Sequence, residues 1–243
     1  MWSFLLLYGS TGNARFLQAG EEAIQILLKS VEVQEQGIGW RIQEEIPPMS
    51  GLAHGNSGIL IPILALSKYT GRTMYEEIAD KIWDYENSLY DPTINNWKDT
   101  REQGKVVSSN PIGSVAWCHG AAGILYSRIL CYEFVEDKKW KNRLELDIKR
   151  AYKKLKEYWK RDSDCLCHGN CGNFWILEIT QEKMKEYGIP VKRDRDVELP
   201  KDELEEQIVH LLPQEQINFG FMNGYGGILY KCLQDIHATE SHI

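Results

Sequence analysis

Two kinds of apolar pattern recur along this chain. Short runs such as Ile59 to Tyr69 are apolar on nearly every side. Longer runs carry apolar residues at helical spacing with Lys and Glu between them: Met74 to Leu89, Trp140 to Trp159 and Asp202 to Leu212. A helix apolar all round belongs in an interior, and an amphipathic one belongs on a surface. An inner helix followed by a wet outer helix, repeated, predicts an all-α double layer, either an α-solenoid or an α/α toroid. Pro62 is expected in the first turn of its helix, where a missing N–H does no harm. Gly37 to Gln43 is the one candidate strand. Asp91 to Pro111 and Tyr187 to Lys201 read as polar surface insertions. Met1 to Tyr8 is apolar but has neither a basic leader nor a small-residue cleavage site. It reads as the interior of a helix without a capping residue.

The turn before each apolar run carries a repeat. His54-Gly-Asn-Ser-Gly58, His119-Gly-Ala-Ala-Gly123, His168-Gly-Asn-Cys-Gly172 and Asn223-Gly-Tyr-Gly-Gly227 each place His or Asn before Gly-x-x-Gly, at intervals of 65, 49 and 55 residues. Such spacing fits one helical pair per unit with loops of variable length. The glycines imply close backbone approach at each turn.

Composition narrows the function. The 243 residues carry a net charge of −7 and are 43% hydrophobic, an ordinary globular balance that argues against a general nucleic-acid binder. No run approaches the length of a membrane span. Eight Trp must fill a core or line a groove. Six Cys are too few for a disulfide scaffold, which points to a reducing, cytoplasmic setting. There, clustered Cys signals metal binding or reactivity.

If the turns converge, His54, Cys118, His119, Cys167 and His168 meet at one centre. Zinc suits them, and Cys118, Cys167 and His168 form a triplet that leaves a fourth position open. A lone Cys is more often a small buried hydrophobe, but two Cys-His-Gly tripeptides at equivalent places reverse those odds. Cys165-x-Cys167 leaves a four-ligand structural zinc as an alternative. Cys131 and Cys232 read as core. His54 is either a polar group holding its turn or a proton shuttle. No phosphate-binding loop, dinucleotide fingerprint or nucleophile elbow is present. Carboxylate-pair chemistry is weak because no acid sits at the repeat turns in the sequence.

Taken in order, Ala53-His54-Gly55, Trp117-Cys118-His119-Gly120, Leu166-Cys167-His168-Gly169-Asn170 and Asn223-Gly-Tyr-Gly-Gly227 resemble the lanthionine synthetase C-like cyclases. The Trp-Cys-His-Gly form is most similar to the cyclase region at the C-terminus of class II bifunctional lanthipeptide synthetases. The resemblance runs essentially from end to end and covers residues 1–243 as one cyclase region. It implies an α/α toroid of seven hairpin repeats around zinc, of which about four lie here with the end of a preceding one. It implies zinc ligation by Cys118, Cys167 and His168, and acid–base catalysis by His54. His119 stands where relatives carry His or Tyr, which implies proton transfer or substrate orientation. Trp117, Gly120 and Gly169 are expected to line the substrate. The implied reaction joins a Cys of a dehydrated precursor peptide to dehydroalanine or dehydrobutyrine as a thioether. The chain departs from the family in three ways. The early repeats with an aspartate thought to aid catalysis are not seen, nor is a dehydratase domain, and Ser114 stands where stand-alone cyclases often carry Arg. A non-catalytic module that binds zinc and thiols is the alternative reading, and a broken ring edge predicts self-association.

Overall fold

A computed structural model describes residues 1–102, 112–190 and 218–240. Its helices are α1 (Trp2–Thr11), α2 (Ala14–Leu28), α3 (Asn56–Thr70), α4 (Thr73–Ser88), α5 (Ala121–Tyr132), α6 (Lys138–Tyr158), α7 (Asn170–Glu186) and α8 (Tyr225–Glu240). Four two-residue strands make two antiparallel hairpins: β1 (Glu32–Val33) with β2 (Ile38–Gly39), and β3 (Tyr90–Asp91) with β4 (Asn96–Trp97). The expected run Met74 to Leu89 is α4 and Trp140 to Trp159 is α6, within two residues at each end. Asp202 to Leu212 lies outside the described residues.

The helices form the double layer. α1, α3, α5 and α7 pack side by side in chain order, α8 packs on α7, and α4 and α6 each lie against their own partners α3 and α5. Of the inner helices, α3 and α5 bury most of their length. In α3, Leu60, Ile61, Ile63, Leu64, Ala65 and Leu66 are all buried. The outer α6 buries Trp140, Leu144, Ile148, Ala151 and Leu155, steps of three and four residues that make one stripe. Its polar face is not idle. Asp80 of α4 pairs with Lys139 (3.1 Å) and with Arg143, whose guanidinium also stacks on Trp83 and Trp140.

A buried ion network ties the layers together. Arg128 of α5 is wholly enclosed and donates to Glu86 of α4 (2.7 Å) and Asp147 of α6 (2.9 Å), both also buried. Asp147 also accepts from Trp83 Nε1 (3.1 Å). The other oxygen of Glu86 accepts from the Ser57 hydroxyl (2.7 Å) and the Gly51 N–H (3.3 Å). A carboxylate of the outer layer therefore holds the loop that leads into the Ala53-His54-Gly55 turn.

Several local expectations change. Pro62 lies in the second turn of α3, because the helix starts at Asn56, inside the Gly-x-x-Gly motif itself. The segment from Asp91 onward is not simply a loop, since it contributes one edge of the β3–β4 hairpin and the short 3-10 turn Thr100–Glu102. Strand structure is likewise not confined to residues 37–43. There, only Ile38–Gly39 is extended, and it pairs back on Glu32–Val33. Two helices precede the His54 turn and pack as a hairpin like those that follow. Met1 offers α1 no side-chain cap, as expected.

Candidate metal centre

The four turns repeat atom by atom. The N–H of each helix's first residue reaches a carbonyl seven residues back: Asn56 to Met49 (2.9 Å), Ala121 to Ser114 (3.1 Å), Asn170 to Ser163 (2.8 Å) and Tyr225 to Asn218 (2.8 Å). A residue with no side-chain capping bond stands before α3, α5 and α7, a glycine in each case. The backbone carbonyl does the capping instead. The same fold-back explains both glycines. A Cβ on Gly120 would meet the Ser114 carbonyl, and one on Gly169 the Ser163 carbonyl. A Cβ on Gly123 or Gly172 would meet Trp117 O or Leu166 O. Gly120 also has φ 82°, a conformation that glycine adopts without cost. At Gly120 and Gly169 the space left by the missing side chain is filled by the chain's own backbone.

A ladder of hydrogen bonds joins one turn to the next. The Ala53 N–H donates to the Cys118 carbonyl (3.1 Å), the Cys118 N–H to the Cys167 carbonyl (3.2 Å), and the Cys167 N–H to the Met222 carbonyl (2.9 Å). These four residues occupy the same place in their units, just before the His or Asn. The ladder seats Cys118 and Cys167 on adjacent rungs, close enough for one thiol to act on the other. Burial, reinforced by the neighbouring thiols of Cys118 and Cys165, pushes the Cys167 thiol up to about 12. Without a cation nearby, this thiol stays protonated at neutral pH. A bound divalent ion would reverse that preference.

The other candidates are placed differently. His168 is exposed and makes no hydrogen bond among the described residues, and neither does His54. His54 therefore does not hold its turn. It stands on the rim of a cleft of about 440 Å³ lined by Leu27, Trp40, Ile42, Leu52 and Ile59. His119 is 2% exposed, and its Nε2 lies 3.4 Å from Asp99 Oδ2. Trp117 is half-buried against the core. Among the described residues no three His, Cys, Asp or Glu side chains stand close enough to hold a metal ion. The five residues thus share one row of turns, with Cys118 and Cys167 on neighbouring rungs. The donor set fits a soft divalent ion in its chemistry, with two thiols on adjacent rungs and an unrestrained imidazole on the residue after Cys167.

Two carboxylates at the turns escaped the sequence. Glu86 holds Gly51, as described above. Asp99 accepts from Arg101 (2.6 Å) and the Ser114 hydroxyl (3.1 Å) as well as facing His119. Burial alone would raise Asp99, but the bonds from His119 and Arg101 outweigh it and hold the carboxyl far below the usual range. The signal was faint: the sequence offers only an Asp-Thr-Arg run in a polar stretch. Cys131 is buried and its thiol pushed up to about 12 by that burial, as a core residue would be. Cys232, also expected in the core, is half-buried.

The family model of lanthionine synthetase C-like proteins matches residues 1–243. The chain belongs to that family. It is 29% identical over 246 aligned residues to the lacticin 481/lactococcin biosynthesis protein of Lactococcus lactis subsp. lactis, an alignment that takes in 98% of this chain. It spans about a quarter of that protein's length. Among solved structures it is similar to a nisin cyclase, with a TM-score of 0.51 and 19% identity, over 77% of this chain and 46% of the cyclase. At that identity the likeness speaks for the fold alone. It identifies the double layer of this lanthionine synthetase C-like chain as an α/α toroid architecture. No helix among the described residues is long and apolar enough to cross a membrane.

Proposed function

We propose that this lanthionine synthetase C-like chain is the zinc-binding part of a lanthipeptide cyclase, which closes thioether rings on a dehydrated precursor peptide. The observation that carries the reading is the Cys118–Cys167 thiol pair, held on successive turns by the backbone ladder. Cys118 and Cys167 would hold the ion with His168, whose side chain is free to turn toward them. When bound, zinc supplies the charge that keeps a substrate cysteine as a thiolate at neutral pH.

The chain's own groups account for the rest. The substrate sulfur adds to the β-carbon of the dehydro residue, forming a C–S bond as the double bond opens. The α-carbon then needs a proton. His54 is exposed on the turn whose backbone bonds to Cys118, and it is our candidate donor. His119 is enclosed, which suits orienting the Cys118 turn better than touching the peptide. Trp117, Gly120 and Gly169 serve by shaping the turns that face the peptide. The partner is a dehydrated peptide. Dehydration would come from another part of a longer protein, consistent with a chain spanning a quarter of its relative.

Two measurements test this reading. Purified chain should hold one zinc per molecule, and Cys118→Ala should abolish it. Incubation with a dehydrated precursor should remove free thiol without change of peptide mass, because addition is an isomerisation. Zinc without thiol loss supports the second reading, a non-catalytic module that binds zinc and thiols, which the incomplete ligand cluster favours. Absence of zinc refutes both.

A further inference from the structure

Asp99 reaches the Cys118-His119 turn from outside the repeat. It follows β4 and is fixed from several sides. Arg101 grips it with its backbone N–H (3.0 Å), Nε (2.9 Å) and Nη2 (2.6 Å), while Ser114 donates its hydroxyl (3.1 Å). Its neighbours are fixed too: Thr100 donates to the Pro47 carbonyl (3.2 Å), and Asn96 Nδ2 to the carbonyls of Ile112 and Ser114 (3.1 and 3.0 Å). The Ser114 carbonyl in turn caps α5 through Ala121 (3.1 Å). Residues 96–101 thus form a scaffold under the turn that carries Cys118.

Asp99 also decides how the His119 ring is used. The carboxylate faces Nε2 at 3.4 Å. A ring nitrogen facing a carboxylate carries a proton, so Nε2 is the donor and Nδ1 faces the other way. Nδ1 is buried and has no partner among the described residues. It looks toward Gly51, where a Cβ would come within 3.2 Å of it. Gly51 opens the loop that bonds to Cys118 through Ala53. The imidazole therefore sits in the seam between the His54 turn and the Cys118 turn, with its Nδ1 side toward the former.

We propose that Asp99 is a positioning residue of this site: its carboxylate fixes the orientation and tautomer of His119 and thereby the seating of the Cys118 turn against the His54 turn. The proposal rests on the cyclase reading for its kinetic consequence, but not for its structural one. Partners of this kind commonly change activity or metal affinity by ten- to a hundredfold.

The test uses the full chain labelled with 15N-histidine, examined by NMR alongside kinetics on a dehydrated peptide. In the wild type the His119 signals should show a proton on Nε2. Asp99→Ala should give a mixed or inverted tautomer and lower kcat by about ten- to a hundredfold with KM unchanged. Asp99→Asn keeps an oxygen facing Nε2 and should restore most of both. A wild-type spectrum with the proton on Nδ1 overturns the proposal without any variant, which covers an Asp99→Ala chain that fails to fold. An unchanged spectrum in Asp99→Ala, or an equal loss in Asp99→Asn, overturns it as well. If the wild type closes no ring, the cyclase reading falls, and the spectra alone decide the placement of His119.

Discussion

Replacing Arg128 by Ala should be among the costliest single changes in this chain. The side chain is fully enclosed and is the cation between Glu86 and Asp147, which are 0% and 2% exposed. Truncation leaves two buried carboxylates facing each other across a void. Breaking a buried pair in this way costs about 3–5 kcal/mol. Glu86 keeps its bonds from Ser57 and Gly51, and Asp147 keeps that from Trp83, so the lower half of the range is expected. For a chain of this size, each kcal/mol moves Tm by about 2–4 °C, which predicts a fall of about 6–16 °C. Urea unfolding followed by tryptophan fluorescence measures the free energy directly. The deficit should shrink as the pH falls, because protonation relieves Glu86, left without a cation, and Asp147, left with only Arg150 at 3.8 Å. A loss below about 1 kcal/mol, or one independent of pH, would refute the account of the network as a mutually compensating charge cluster. A second variant sharpens the test. Glu86→Leu, Arg128→Met and Asp147→Leu together remove all three charges and should recover most of the stability. That triple variant should still exchange the Gly51 amide faster, since nothing then receives its N–H.

Gly120→Ala should destabilise the chain more than Gly71→Ala. Both residues have positive φ, 82° and 67°, but a Cβ on Gly71 meets open space while one on Gly120 meets the Ser114 carbonyl. Both changes should cost about 1–3 kcal/mol of backbone strain, and Gly120→Ala adds the clash with the Ser114 carbonyl; equal losses in denaturant would contradict the fold-back of the turn. Tyr85 should shape the alkaline limit of stability. Burial, helped by the charge of Glu86, raises its hydroxyl to about 12, and the hydroxyl donates to the Pro48 carbonyl (2.6 Å). Its unfolded value is near 10, so this contribution is complete below pH 10 and is lost as the pH rises toward 12. Tyr85→Phe should be less stable at neutral pH and should lose less between pH 10 and 12; parallel curves for the two proteins would show that Tyr85 does not drive the loss.

Most of the layer plan was legible because it rests on periodicity. The all-round apolar Ile59 to Tyr69 and the striped Trp140 to Trp159 had to lie on opposite sides of an interface, and they do. The Gly-x-x-Gly reading as close approach was also sound, although what approaches is a carbonyl six residues earlier in the same chain. What the sequence hid came from long-range contacts. Asp99 meets His119 from twenty positions away and Glu86 meets Gly51 from thirty-five, and a polar residue in a loop carries no mark of such a partner. Pro62 was misplaced because a glycine-rich motif reads as a turn, whereas a carbonyl cap lets the helix begin inside it. The gathering of five residues at one point was too strong an expectation. Backbone periodicity aligns positions, but the direction of an exposed imidazole such as His168 is set by what it binds.

The ladder through Ala53, Cys118, Cys167 and Met222 has an evolutionary consequence. It is made of main-chain atoms, so it survives any side-chain substitution at those positions other than proline. Mutation can therefore exchange an alanine, a cysteine or a methionine at a rung without losing the alignment of the turns. The stretches between rungs differ in length by up to 16 residues, and the alignment does not depend on them either. Such a frame lets a duplicated hairpin be added and then lets its rung drift toward or away from chemistry. Cys118 and Cys167 are two rungs that carry a thiol, and Ala53 and Met222 are two that do not.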